Sequence, residues 1–191
     1  MKRIDRARRI YSWKGVAGLE RPHLSAEAKD AALTRLMETY GTHVLRVCFL
    51  YLHDHALAQD AAQTTFLKAW KSLDRFRAEA PEKTWLITIA VNTCRSILRS
   101  REFRMYAHGA DPENIAKPSV DAVIPDGTVA RAVLALPTKY REVIILHYYQ
   151  SLPTTDVARV LRIPEPTVRT RLYRARHMLE PMLKGWYLND E

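Results

Sequence analysis

Residues 154–179 read TTDVARVLRIPEPTVRTRLYRARHML. Two helical patterns lie in this stretch, TTDVARVL and PTVRTRLYRARHML, separated by the tight turn Arg162-Ile163-Pro164. At about 100° per residue, Val168, Leu172, Ala175 and Leu179 gather on one side of the second pattern, so that side is expected to pack inward. The opposite side carries Thr170, Tyr173, Arg174 and His177, with Arg169 and Arg171 flanking it and Arg176 near its edge. A short helix, a tight turn and a second helix with an outward cationic face make a helix-turn-helix, whose second helix lies in the DNA major groove. Arginine suits that position, because its planar fork binds guanine O6 and N7 together or clamps a phosphate. The start of the helix near Glu165 adds free N–H groups and a positive dipole end. Taken alone, the arginines also fit an ordinary solvated helix face.

Upstream, Val129, Val133 and Leu136 carry a helical period, and Pro137 opens another helix, TKYREVIILHYY. Residues 107–127 differ: Gly109, Pro112, Pro118, Pro125 and Gly127 punctuate them, and acidic residues outnumber Lys117, which reads as a flexible linker. Earlier still, Leu33, Leu36, Met37, Tyr40, Val44 and Val47 form an amphipathic stripe, which Gly41 is expected to break into two helices. Asp54 is the expected N-cap of a helix through Leu73. The loop FRAEAP follows, and Pro81 precedes a helix to about Arg104. The expected architecture is all-α, with two small helical domains of about four helices each. They span residues 26–106 and 128–185, joined by the linker 107–127 and preceded by a basic extension, residues 1–25, that contains RIDRARR.

The chain has 191 residues, 47% of them hydrophobic, and a formal net charge of +9. That composition supports packed cores, and the positive excess favours a polyanionic partner, since basic residues that neutralise phosphates release counterions. Two cysteines, Cys48 and Cys94, are too few for a disulfide framework, and their apolar surroundings predict buried, reduced thiols. No apolar run approaches the ~20 residues that span a bilayer, and the basic N-terminus lacks an apolar signal core, so a cytoplasmic protein is expected. His43, Cys48, His53 and His55 follow no ligand spacing, and Trp70 and Trp85 are expected in the core. With no Gly-rich phosphate loop and no nucleophile elbow, the expectation is a non-enzyme that needs no metal, cofactor or small-molecule substrate.

Residues 135–179, ALPTKYREVIILHYYQSLPTTDVARVLRIPEPTVRTRLYRARHML, resemble the fourth conserved region of extracytoplasmic-function sigma factors of the sigma-70 family. DAAQTTFLKAWKSLDRF, residues 60–76, followed by KTWLITIAVN, residues 83–92, resembles that family's second conserved region. The resemblance covers roughly residues 28–104 and 128–183 and implies a factor that directs core RNA polymerase to promoter DNA. Asp60, Gln63 and Thr64 match the helix that docks on core polymerase. Phe76, Arg77 and Ala78 lie in a loop matching the one that captures a flipped base of the minus-ten element. Asn92 matches a residue lining that region, and Lys83, Arg95 and Arg99 are implied to hold the strand backbone. Arg169, Thr170, Arg171, Tyr173, Arg174 and Arg176 match the positions that read or grip the minus-thirty-five element. The resemblance also implies an anti-sigma partner that covers the polymerase-binding surface.

The chain departs from the family pattern at named positions. Thr64 stands where an acidic residue is usual, Pro153 where a capping serine is usual, and Arg162 and Pro166 where glycine is common. Arg162 carries a left-handed strain cost if the backbone keeps the glycine geometry, and Pro153 cannot cap, leaving Thr154 or solvent to compensate. A conventional helix-turn-helix regulator explains the second half equally well, but not D-x-x-Q followed by F-L-K-A-W and W-L-x-x-I-A.

Overall fold

A computed structural model describes residues 24–76, 79–107 and 127–187. The basic extension before Leu24, the interior of the linker, and Arg77 and Ala78 lie outside them.

Helix α1 spans Ala26–Leu52. The Ser25 hydroxyl accepts from the Ala28 N–H at 3.2 Å, and Glu27 places a negative charge at the positive end of the helix dipole. The expected break at Gly41 does not occur, and one helix runs through it. One glycine costs a helix about 1 kcal/mol relative to alanine. Burying Leu36 on one side of it and Val44, Val47, Phe49 and Leu50 on the other outweighs that cost at about 1.5–3 kcal/mol per large side chain. The helix stops at His53, which adopts φ 56° and closes its N–H onto the Phe49 carbonyl at 2.8 Å.

Helix α2, His55–Ser72, starts at Asp54, whose carboxylate accepts from the Leu57 N–H at 2.9 Å as the sequence predicts. Its inward stripe is mostly small, with Ala58, Ala61, Ala62, Thr65 and Ala69 buried beside the larger Phe66. A 3₁₀ turn, Leu73–Arg75, leads to Phe76, which rests on Trp85 with ring centroids 4.7 Å apart. Helix α3, Glu82–Ala107, begins after Pro81 and buries Leu86, Ile87, Ala90, Val91 and Cys94. The three helices form one bundle, tied at its open end by the Lys29–Asp74 ion pair and by the Arg35 fork on Glu82 at 2.6 and 2.9 Å. Trp70 and Trp85 are half-buried against the core, and Trp70 donates its indole N–H to Asp30 at 2.9 Å. Cys48 and Cys94 are buried free thiols, and the neighbouring Cys48 together with burial pushes the Cys94 thiol far above its ordinary range.

The second half comprises α4 (Gly127–Ala135), α5 (Thr138–Ile144), α6 (Thr154–Leu161) and α7 (Glu165–Tyr187). Pro137 precedes α5, as expected, but TKYREVIILHYY is not uniform. Its end widens into a π turn, Ile145–Tyr149, where the Gln150 N–H reaches back to the Ile145 carbonyl at 3.1 Å. That extra residue per turn swings the chain inward at Gln150, which is fully buried. Helix α6 starts on Pro153 without a side-chain cap. Thr154 does not supply one, because its hydroxyl donates to Glu165 across the turn at 2.6 Å. Asp156 in the first turn compensates through the dipole. Arg162 takes the glycine-like geometry, φ 56° and ψ 47°, and the Ile163 N–H closes onto the Ala158 carbonyl at 3.1 Å, ending α6 in a Schellman turn. Among the described residues there is no strand.

Two opposite substitutions are predicted to stabilise the protein. Gly41→Ala adds a methyl where nothing lies within 4 Å, and should raise unfolding free energy by about 0.5–1 kcal/mol. Arg162→Gly relieves the left-handed residue and should raise it by about 1 kcal/mol. Chemical denaturation checks both, and a loss of stability in either variant contradicts the backbone assignment at that site.

Candidate nucleic-acid interface

The inward stripe of α7 is buried as the periodicity requires: Val168, Leu172 and Ala175 are inaccessible, and Leu179 packs at the edge of the core. Arg169, Thr170, Tyr173, Arg174, Arg176 and His177 are exposed and Arg171 is half-buried. This surface is organised. Glu165 ties Arg169 at 2.8 Å and receives the Thr154 hydroxyl, and these two bonds hold its carboxyl below the usual range. Thr170 donates to the Pro166 carbonyl at 3.0 Å, and Tyr173 stands edge-on to His177 with centroids 4.4 Å apart. The Arg174 guanidinium near the Tyr140 phenol of α5 lowers the pKa of that phenol.

On α2, Asp60 and Gln63 are exposed and Thr64 is half-buried. Leu67, which the sequence reading did not single out, is 53% exposed on the same face. Its signal was available in the spacing 60, 63, 67, which is one helical face. A carboxylate, an amide and an exposed leucine on one face can serve a partner helix.

The residues matched to the minus-ten element divide. Asn92 and Arg99 are exposed on α3, and Phe76 is half-buried against Trp85. Lys83 and Arg95 instead engage the second half of the chain. The Lys83 ammonium donates to the Gln150 carbonyl at 2.7 Å, and burial lowers its pKa. The Arg95 guanidinium forks onto Glu142 with both bonds at 2.9 Å. Beside them, Thr84 donates to Asp156 at 2.9 Å in a buried contact, and His43 Nδ1 meets the Gln150 side-chain oxygen at 3.2 Å. Glu142, Gln150 and Asp156 are buried polar residues that sequence reasoning missed, since their partners lie 47–107 residues away.

The two halves thus meet along a polar seam, with the buried apolar cluster running through both. The seam is incompletely satisfied. The Tyr51 hydroxyl and both ring nitrogens of His53 are buried without a hydrogen-bond partner among the described residues. Burial, with the Arg141 guanidinium beside it, brings the His53 imidazole down from 6.5 to about 4. A cleft of about 400 Å³ opens on the seam, lined in part by Tyr51, Arg95, Arg99, Lys139, Arg141 and Glu142.

Comparison with known proteins covers both halves. The Sigma-70 region 2 family matches residues 36–104, and the Sigma-70, region 4 family matches residues 127–179. The chain is 33% identical over 156 residues to the ECF RNA polymerase sigma factor SigL of Mycobacterium tuberculosis (strain ATCC 25618 / H37Rv), covering 78% of this chain and 88% of the relative. It is 29% identical over 167 residues to the ECF RNA polymerase sigma factor SigW of Bacillus subtilis (strain 168), covering 80% and 89%. Among solved structures it is similar to the sigma factor RpoE in complex with the anti-sigma factor NepR from Bartonella quintana, with TM-score 0.69 and 27% identity, covering 85% of this chain and 99% of that one.

The seam has an acid signature. Because His53 is neutral in the folded chain down to about pH 4 while an unfolded histidine protonates near 6.5, folding excludes a proton between those values. Its contribution to stability is present above pH 6.5 and is lost as pH falls towards 4. His53→Asn keeps a residue that tolerates the left-handed cap and removes the titration. The variant should lose less stability than the parent between pH 7 and pH 4 in urea unfolding, and identical losses would contradict this.

Proposed function

The chain belongs to the ECF RNA polymerase sigma factors of the sigma-70 family, and we propose that it places core polymerase on promoters by gripping duplex DNA with α7 and single-stranded DNA with the first bundle. The observation that carries this reading is the α7 surface: apolar positions spaced to bury one side leave Arg169, Thr170, Arg171, Tyr173, Arg174 and Arg176 for the minus-thirty-five element. Arg174, exposed on this surface, is a candidate for bidentate contact with a guanine.

Asp60, Gln63 and Thr64, with Leu67, form the face offered to core polymerase. Phe76, Arg77 and Ala78 are assigned to an unstacked base of the minus-ten element together with Asn92, and Lys83, Arg95 and Arg99 to the strand backbone. Unstacking a base costs a few kcal/mol, so a fitted pocket both selects sequence and holds the bubble open. The phosphodiester chemistry belongs to the polymerase, and this chain supplies position and sequence choice. Residues 26–106 and 128–185 act as the two modules, with 107–127 between them inside the enzyme.

The solved relative from Bartonella quintana is held by an anti-sigma factor, and we infer a partner of that kind here. Among the described residues no helix is long and apolar enough to cross a membrane. The site of action on this reading is the cytoplasm, where polymerase and promoter meet. A conventional helix-turn-helix regulator is disfavoured, because the family matches and the relatives extend across both halves.

Two variants separate the surfaces. Arg174→Ala should weaken promoter binding by the holoenzyme by about 1–3 kcal/mol without weakening assembly with core polymerase. Leu67→Asp should weaken assembly about tenfold or more while leaving the melting temperature unchanged, since the position is exposed. Fluorescence anisotropy reads the first and size-exclusion titration the second. Unchanged promoter affinity removes Arg174 from the reading set, and undiminished assembly removes Leu67 from the polymerase face.

A further inference from the structure

One carboxylate joins two helices at the turn that aims α7. Glu165 opens α7, and its Oε1 accepts twice: from the Thr154 hydroxyl of α6 at 2.6 Å and from the Arg169 guanidinium, one turn on, at 2.8 Å. Both bonds favour the ionised carboxylate, and the positive end of the α7 dipole favours it as well. As an ion pair in water the contact adds little stability, since the Arg169 side chain is 70% exposed. Its effect is on direction. An unrestrained guanidinium on a DNA-facing helix turns to the nearest phosphates, which carry the charge and no sequence information. Tied to a residue four positions earlier, the Arg169 guanidinium lies back along α7 towards its first turn, the part of a recognition helix that meets base edges. The Thr154 bond fixes the carboxylate to a second helix, so Glu165 is not free to follow Arg169 to the backbone.

We propose that Glu165 is a positioning residue that sets sequence specificity on this face: anchored to α6 through Thr154, it holds Arg169 towards a base edge and away from the phosphate backbone. The inference deepens the reading of α7 as the duplex-DNA helix and rests on it. A carboxylate in this place also repels phosphate. It therefore lowers affinity for every sequence, and only a sequence that offers acceptors to the arginine recovers the loss. One Nη of Arg169 is engaged by Glu165, and the remaining donors of the guanidinium are available to guanine O6 and N7. Arg171, Arg174 and Arg176 on the same surface show no ion pair with a carboxylate among the described residues, so the restraint belongs to Arg169.

The test uses holoenzyme assembled from the full chain, a duplex promoter recovered by run-off sequencing, its single-base variants across the upstream motif, and a duplex with that motif shuffled. Fluorescence anisotropy over a salt series reads each affinity. Glu165→Gln should tighten binding to the shuffled duplex several-fold and steepen the log–log salt slope by about 0.9, the mark of one added phosphate contact. It should cut discrimination at one base pair by about fivefold or more and leave the other pairs as they were. Arg169→Ala should abolish discrimination at that same base pair, and adding Glu165→Gln should change it no further. Thr154→Val should reproduce the Glu165→Gln pattern in part, and Thr154→Ser, which keeps the hydroxyl, should restore the parent values. A merely structural role would weaken binding to all duplexes alike. That result overturns the positioning role, as does a Glu165→Gln variant with unchanged slope and unchanged discrimination. A switch in which base is preferred also overturns it, by making Glu165 a reader of bases itself. If Arg169→Ala and Arg174→Ala both leave every base pair discriminated as in the parent, the assignment of α7 to duplex DNA fails first, and the positioning role falls with it.

Discussion

Burial of Val168, Leu172 and Ala175 against the helices that precede them is the constraint on which the second half depends. A helix has one period, so committing those positions to the core leaves the intervening arginines and Tyr173 facing out, with no separate device needed to place them. The same economy operates in the first bundle. The small inward stripe of α2 seats it closely on its neighbours, and Asp60, Gln63 and Leu67 fall on its free side. The placement of both candidate surfaces is a by-product of core packing.

The seam follows a different logic. Here the chain brings the buried Glu142 carboxylate to the half-buried Arg95 and leaves neighbouring polar atoms without a hydrogen-bond partner among the described residues. Interactions of that kind add little net stability but discriminate sharply among geometries, since an unpaired charge is costly and a paired one is tolerable.

Much of this was legible before any coordinates. The helix-turn-helix, the inward and outward sides of α7, the Asp54 cap and the left-handed Arg162 follow from spacing and local chemistry, because each depends on residues a few positions apart. Gly41 misled, because a local propensity was outweighed by burial on both sides of it. Thr154 misled in a smaller way, its hydroxyl drawn across the turn by Glu165 instead of capping its own helix. Glu142, Gln150 and Asp156 gave no signal at all. Nothing local distinguishes a carboxylate that will meet Arg95 from one that will meet water, and the π turn that carries Gln150 inward has no composition of its own.

The most direct measurement of the central claim is reconstituted run-off transcription. Purified chain would be added to core polymerase from its own host, with sheared genomic DNA of that host as template and the transcripts sequenced. The account predicts new 5′ ends that appear only with the chain and share two upstream motifs at constant spacing. A transcript set identical with and without the chain, under conditions in which another sigma factor drives the same core, would contradict it.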